Sequence, residues 1–208
     1  MAALGDTAFV TLATNDPYAL GALVLCHSLK ETGTAHSIVC LITDGVSQEM
    51  IGRLERTFDL VVSVAQIDSN DREMLELLRR PELGVTLTKL HVWRLTQFNK
   101  VVFLDADTLV LQNIDDLFDR PELSAAPDIG WPDCFNSGLF VCVPSEITFR
   151  ALTSMLLTEG SFDGAPRPPS AGPLENVTVG SRAVWATMFR RTCMRRARRR
   201  PRVAQPVL

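Results

Sequence analysis

Val101-Val102-Phe103-Leu104-Asp105-Ala106-Asp107-Thr108 is the stretch on which the reading of this chain turns. A short unbroken apolar run with β-branched members marks a strand covered on both faces, so residues 101–104 are predicted to lie centrally in a sheet. The run passes straight into two carboxylates separated by one residue. In an extended chain, residues two apart project to the same side. Asp105 and Asp107 are therefore predicted to reach one point at the strand's carboxyl end. Neighbouring carboxylates repel unless positive charge lies between them. Oxygen donors suit a hard divalent ion such as Mg²⁺ or Mn²⁺, which commonly also takes substrate phosphates.

Outward from this stretch, strand-like and helix-like patterns alternate. Ala8–Leu12 reads as a buried strand. Asn15-Asp16-Pro17 follows, with Asp16 predicted as N-cap and Pro17 as first helical residue. The helix places Tyr18, Ala22, Leu25 and Leu29 on one face and stops at Gly33. The unit repeats with strand Ser37–Ile42, a helix opened by Ser47 with Met50, Ile51, Leu54 and Phe58 inward, and strand Leu60–Val64. Residues 71–79 read as helical. Thr86 or Thr88 is predicted to cap a further helix in which Leu87, Leu90 and Trp93 recur every third residue. Ser137–Val143 reads as a strand and Ser145–Thr158 as a helix with Phe149, Leu152 and Leu156 inward. Alternation of this kind predicts an α/β fold with a mostly parallel central sheet covered on both faces. Ligands of such sheets sit outside the carboxyl ends of the strands, here just after residues 12, 42, 64 and 104.

The composition is 46% hydrophobic and 22% charged, ordinary for a globular protein. No apolar run is long enough for a membrane span, and the N-terminus lacks a signal-peptide pattern, so a cytoplasmic protein without membrane contact is expected. The five cysteines fit neither a zinc site nor a disulfide framework and are expected as reduced thiols, most of them in the core. The net charge of −3 conceals a split. Residues 1–164 carry 11 Lys+Arg against 23 Asp+Glu, whereas residues 165–208 carry ten Arg against one Glu. Pro-rich Ala165–Pro173 and Arg-rich Arg190–Arg202 read as a mostly disordered tail behind a folded body at 1–164. Basic runs bind polyanions non-specifically. With only Trp185 and Phe189 near the arginines, base stacking lacks support and no nucleic-acid partner is expected. No G-x-G-x-x-G follows the first strand and no P-loop is present, which disfavours a dinucleotide site and a P-loop nucleotide site.

Several runs, in order, resemble the glycogenin family of glycosyltransferases. They are Thr11-Leu12-Ala13-Thr14-Asn15-Asp16, Arg80–His91, Phe103–Leu111, Ser124–Gly138 and Ser161-Phe162-Asp163-Gly164. The resemblance covers roughly residues 6–164 and is far more specific than the carboxylate triplet alone. It implies a GT-A nucleotide-sugar-binding fold, incomplete at its C-terminus in this chain. It also implies UDP-glucose as donor, Mn²⁺ (or Mg²⁺) as cofactor, and retaining glucosyl transfer. The family primes glycogen by transferring glucose to its own tyrosine and then extending an α-1,4-glucan chain, as a homodimer.

Residue by residue, the resemblance places Leu12, Thr14, Asn15 and Tyr18 around the uridine. Arg80 and Lys89 match positions that approach the phosphates and donor sugar. Asp105 and Asp107 match the metal ligands; Asp105 and Ala106 also approach the donor, Asp105 near the ribose. Asp128, Asn136, Ser137 and Asp163 match groups around the glucose hydroxyls, with Lys89 and Asp163 in catalytic roles. The chemistry of these residues agrees: a lysine stabilises a departing diphosphate, and Asn, Ser and Asp supply donors and acceptors to a neutral sugar.

The sequence departs from the family after Gly164. The family continues with an Asp-Gln-Gly-Leu-Leu-Asn-type run where this chain has Ala165-Pro166-Arg167-Pro168. The family's third protein metal ligand is a histidine from about fifty residues further on, whereas His27, His36 and His91 all lie earlier. Tyr18 is the sole tyrosine and matches the donor site rather than the glucose acceptor. Two readings follow. One is a glycogenin-type glucosyltransferase; the other is a non-catalytic UDP-sugar-binding fragment or a partner of full-length glycogenin.

Overall fold

A computed structural model describes residues 4–67, 88–128 and 131–159 of the chain. The predicted helix at 71–79, the capping residue Thr86 and the tail from 165 lie outside the described residues.

One six-stranded sheet organises the fold, in the order β3-β2-β1-β4-β6-β5. β1 (Thr7–Ala13), β2 (Ser37–Ile42), β3 (Leu60–Ser63) and β4 (Lys100–Leu104) run parallel, with Phe9 opposite Ile38 on one side and Val102 on the other. β6 (Trp131–Cys142) pairs antiparallel with β4, and β5 (Ser124–Asp128) antiparallel with β6. Four of the six strands thus run parallel, giving the mostly parallel sheet that was predicted, with an antiparallel pair at one side. β4 is internal, as its apolar run requires, and Val101–Leu104 are all buried.

β5 escaped prediction and β6 begins six residues earlier than predicted. Ser-Ala-Ala-Pro-Asp has none of the β-branched or aromatic residues that mark strands, and proline removes a ladder donor. Pro127 is tolerated because β5 is the outermost strand.

Both faces of the sheet are covered, and strand alternation decides which residues serve each. Phe9, Cys40, Val102 and Leu104 face the layer formed by α1 (Asp16–Glu31) and α2 (Gln48–Thr57). Val10, Leu41, Val101 and Phe103 face the opposite layer. That layer holds α3 (Glu146–Glu159) and a 3-10 segment, Thr88–Arg94. Phe149 and Leu152 of α3 pack there as predicted; the side chain of Leu156 lies outside the described residues.

The helix termini correct one expectation. Asn15, not Asp16, is the N-cap of α1: its backbone is extended and its Oδ1 accepts from Tyr18 N at 3.1 Å. Asp16 becomes the first helical residue, where negative charge favours the helix dipole, and its carboxylate accepts from Ser47 N at 2.8 Å instead. That hydrogen bond lowers the Asp16 pKa. Ala22, Leu25 and Leu29 are buried on α1, but Tyr18 is 50% exposed at its first turn. Ser47 caps α2 as predicted, accepting from Met50 N. Gly33 ends α1 with φ 74, a left-handed conformation that glycine adopts without steric cost.

Cys26, Cys40 and Cys142 are free and buried. Burial pushes the Cys26 thiol up to about 11 and Cys40 up to about 12, so both stay protonated near neutral pH. Among the described residues no helix is long and apolar enough to cross a membrane.

Candidate functional site

The carboxyl ends of β1 and β4 meet where the topology predicts a ligand. Asp105 is the first residue beyond β4, and its N–H donates to Gly138 O on β6 at 2.8 Å. The chain then turns: Thr108 N donates to Asp105 O at 3.0 Å. Asp105-Ala106-Asp107 is therefore not an extended triplet, and strand alternation does not align the two carboxylates. The alternation instead carries Phe103 and Asp105 toward the same face, the one occupied by the 3-10 segment. The turn brings Asp107 close enough for its charge to raise the pKa of Asp105. Asp107 is exposed; Asp105 is partly buried.

Lys89, on the 3-10 segment, enters from that face. Its Nζ lies 2.6 Å from Asp105 Oδ1, and its side chain is only 16% exposed. The same Nζ donates to Ser137 O at 3.5 Å and stands 5.4 Å from the centroid of the Phe103 ring. Burial raises the Asp105 pKa, opposed by the Lys89 charge and hydrogen bond. Asn136 sits beside this group, its Oδ1 accepting from Gly138 N at 2.7 Å. Gly138 is required by proximity: a Cβ there would fall 3.0 Å from Asp105 Oδ2 and 2.9 Å from Asn136 Oδ1.

The β1–α1 turn forms a second wall. Thr14 O accepts from Thr43 Oγ1 at 3.1 Å, and a Cβ on Gly45 would reach 2.4 Å from that same oxygen. Asn15 spends its side-chain oxygen on the helix cap, leaving its amide N–H₂ for a ligand. Leu12 is buried, its side chain packed in the core beneath this turn. The two walls touch at Gly21 of α1, where a Cβ would fall 2.5 Å from Ala106 O.

Of the sequence-predicted residues, Lys89, Asp105, Asn136 and Ser137 are brought together, Thr14, Asn15, Ala106 and Asp107 lie on the two adjoining turns, and Tyr18 lies in the first turn of α1. Asp128 ends β5 opposite Trp131, its side chain outside the described residues. Arg80 and Asp163 also lie outside them. Phe103 and the glycines at 21, 45 and 138 were missed. Alternation from Asp105 back to Phe103 was a usable signal for the first; for Gly21 and Gly45 there was none, since the crowding atoms come from distant segments, and Gly138 is crowded by distant Asp105 as well as by nearby Asn136.

The 3-10 segment is anchored beneath Lys89. Thr88, predicted as a cap, is buried and its Oγ1 accepts from Ile67 N at 3.1 Å. His91 Nε2 bonds Ala65 O at 2.8 Å and its ring stacks on Phe149. A carbonyl can only accept, so Nε2 carries the proton and Nδ1 is the bare nitrogen, buried without a partner among the described residues. Burial lowers the His91 pKa, reinforced by Arg94. Its folded pKa thus lies below the unfolded value of about 6.5, and the unfolded chain binds the extra proton first. The stability contributed by neutral His91 is present above about pH 6.5 and is lost as pH falls toward the folded value. Asp105, raised, contributes with the opposite sign. Denaturant titrations between pH 7.5 and 5 should show stability falling with acid, and His91→Gln should flatten that slope.

Among the described residues no cluster of three or more His, Cys, Asp or Glu side chains is placed to hold a metal. Asp105 and Asp107 nonetheless suit a hard ion that completes its shell with phosphate oxygens and water, a pattern that needs only one or two carboxylates. Gly138 supports that fit by placing no side chain against the Asp105 carboxylate, which a Cβ there would crowd.

These elements make up the GT-A fold of glycosyltransferases, and residues 9–122 match glycosyl transferase family 8, to which the chain belongs. It is similar to Glycogenin-1 of Homo sapiens, 62% identical over 159 residues covering 76% of this chain and 45% of that protein. Glycogenin-1 of Caenorhabditis elegans is 59% identical over 157 residues, covering 76% of this chain and 37% of that protein. The chain spans less than half the length of these relatives. Among solved structures, the galactosyltransferase LgtC in complex with donor and acceptor sugar analogues superposes with a TM-score of 0.55 at 17% identity, covering 72% of this chain and 63% of that one. The glycosyltransferase GlyE of Streptococcus pneumoniae gives a TM-score of 0.56 at 18% identity, covering 88% and 42%. At that identity the likeness is one of fold.

Proposed function

We propose that this chain carries the donor site of a glycogenin-type, retaining glucosyltransferase that uses UDP-glucose and Mn²⁺. The observation that carries the reading is the Lys89–Asp105 pair at the carboxyl end of β4, walled by the β1–α1 turn. Leu12, Thr14, Asn15 and Tyr18 would receive the uridine, Tyr18 offering an exposed ring to the base. Asp105 and Asp107 would hold the divalent ion. When bound, that ion neutralises charge gathering on the departing diphosphate. Lys89 adds a second cation there, held by Phe103 and the Ser137 carbonyl. Asn136 and Ser137 would orient the glucose hydroxyls, with Asp128 joining them, while Arg80 and Asp163 complete the phosphate and sugar contacts. The acceptor in this reading is an α-glucan chain and the protein is cytoplasmic, with a core at 1–164, a tail at 165–208, and either a second copy or full-length glycogenin as partner.

The second reading, a non-catalytic binder of UDP-sugar, draws on the sole tyrosine, Tyr18, lying in the donor site, and on the divergence after residue 164. Both readings require donor binding, and ligand binding raises melting temperature with the logarithm of the ligand excess. UDP with Mn²⁺ is expected to raise the melting temperature of the 208-residue chain, and Asp105→Asn to abolish that rise. No rise in the parent chain would sink both readings. Glucose transfer from UDP-glucose to maltooligosaccharide then separates them.

A further inference from the structure

We propose that Lys89 is a resident counter-cation of Asp105 that an arriving diphosphate draws away, so that nucleotide and divalent ion bind as a coupled pair. The inference rests on the donor-site reading above and deepens it.

Three features hold Lys89 in place. Its Nζ is 2.6 Å from Asp105 Oδ1, it donates to Ser137 O at 3.5 Å, and the Phe103 ring lies 5.4 Å away. All three neighbours present negative charge or π density to the ammonium. The carboxylate, for its part, cannot easily turn to another exit. Its root is pinned by Asp105 N bonding Gly138 O at 2.8 Å, and Oδ2 lies so near Gly138 that an added methyl would reach 3.0 Å. The ammonium stands on Oδ1. A divalent ion arriving alone therefore meets a like charge at the ligand it needs.

A diphosphate changes that balance. Lysine is a compact charge on a flexible stem, and phosphate oxygens form strong charge-assisted hydrogen bonds with it. Moving Nζ from Oδ1 to a phosphate uncovers the carboxylate while adding phosphate oxygens for the ion. Each ligand then improves the other's affinity by the same factor, as linkage demands.

The test measures Mn²⁺ affinity by electron paramagnetic resonance of free Mn²⁺, with the full chain, with and without UDP. Without UDP, Lys89→Met is expected to bind Mn²⁺ roughly tenfold tighter than the parent, since a like charge a few ångströms from the ion is removed. The enhancement of Mn²⁺ affinity by UDP should shrink by a similar factor in that variant. Lys89→Arg, which keeps the charge, should stay near the parent. Equal or weaker Mn²⁺ binding by Lys89→Met without UDP would overturn the proposal, as would an undiminished UDP effect. Lys89→Gln is read in the same way if Lys89→Met does not melt cooperatively. Asp105→Asn separates the two levels: weak Mn²⁺ binding throughout supports the metal reading, while parent-like binding sinks that reading and the exchange with it.

Discussion

Gly21→Ala is expected to destabilise the chain by about 1–3 kcal/mol and to remove its thermal response to UDP with Mn²⁺. One methyl produces both effects. The new Cβ would stand 2.5 Å from Ala106 O, a main-chain oxygen in the turn that carries Asp105 and Asp107. Neither side can yield cheaply. α1 is seated through Ala19, Ala22, Leu25 and Leu29, all essentially buried, and Ala106 itself is buried. Further along, Val110 N donates to Ser28 Oγ at 3.1 Å and Asn113 Nδ2 to Thr32 O at 3.3 Å. The segment after β4 is therefore laced to α1 along most of its length, and pushing Ala106 away shifts the turn toward the site. Urea titration should show a lower midpoint with an unchanged slope, meaning lost stability without a change in compactness. Gly52→Ala provides the contrast. Gly52 lies within α2, and its Cβ would meet only the Arg56 guanidinium at 3.7 Å. There alanine is expected to stabilise by about 0.5–1 kcal/mol, because glycine carries the larger entropic cost in a helix. If both variants move the midpoint in the same direction, the close approach at Ala106 is not what Gly21 serves.

That contrast shows why the glycines were invisible in the sequence. Gly21 and Gly52 are both helical, and nothing local distinguishes them; the difference is a carbonyl from a segment 85 positions away. What could be read was whatever local chemistry decides. The apolar run at 101–104 places β4 inside the sheet, and Ser47 followed by an apolar face gives the start of α2. β5 could not be read, because Ser124–Asp128 is a strand by virtue of its partner β6 and not of its own composition. The recurrence of Leu87, Leu90 and Trp93 at every third residue was read as a helix; for the described part, Thr88–Arg94, it is a 3-10 segment, whose period is three. Within the site, Lys89 and Asp105 are 16 positions apart and meet only through the tertiary fold. The family resemblance named them; periodicity alone would have paired Asp105 with Asp107, where the chain in fact turns.

Trp93→Ala is expected to cost about 3–5 kcal/mol, the largest loss from any single truncation in the layer that carries Lys89. Trp93 is fully buried on the same 3-10 segment as Lys89. Its ring stacks on Phe140 with centroids 5.4 Å apart, and Phe140 stacks in turn on Phe103 at 5.0 Å. Its indole N–H donates to Glu122 Oε1 at 3.4 Å, and its carbonyl accepts from Ser145 N at 2.8 Å at the start of α3. The side chain thereby joins the 3-10 segment to β6 and to the β5 approach, while its main chain ties the segment to α3. Aromatic stacks of this kind add to area burial, and the cavity left by alanine would not collapse easily between strands held in register. Lys89 depends on that layer for its height above Asp105, and Phe103, against which its ammonium lies, is the far end of the stack. The variant should therefore lose the UDP–Mn²⁺ thermal response at temperatures where it is still folded. Trp93→Phe keeps the ring and loses the N–H; it is expected to recover most of the stability and of the ligand response. Recovery of stability without the ligand response would show that Lys89 is positioned by the Glu122 hydrogen bond and not by the stack, which would overturn the reading of Phe103–Phe140–Trp93 as the support beneath the site.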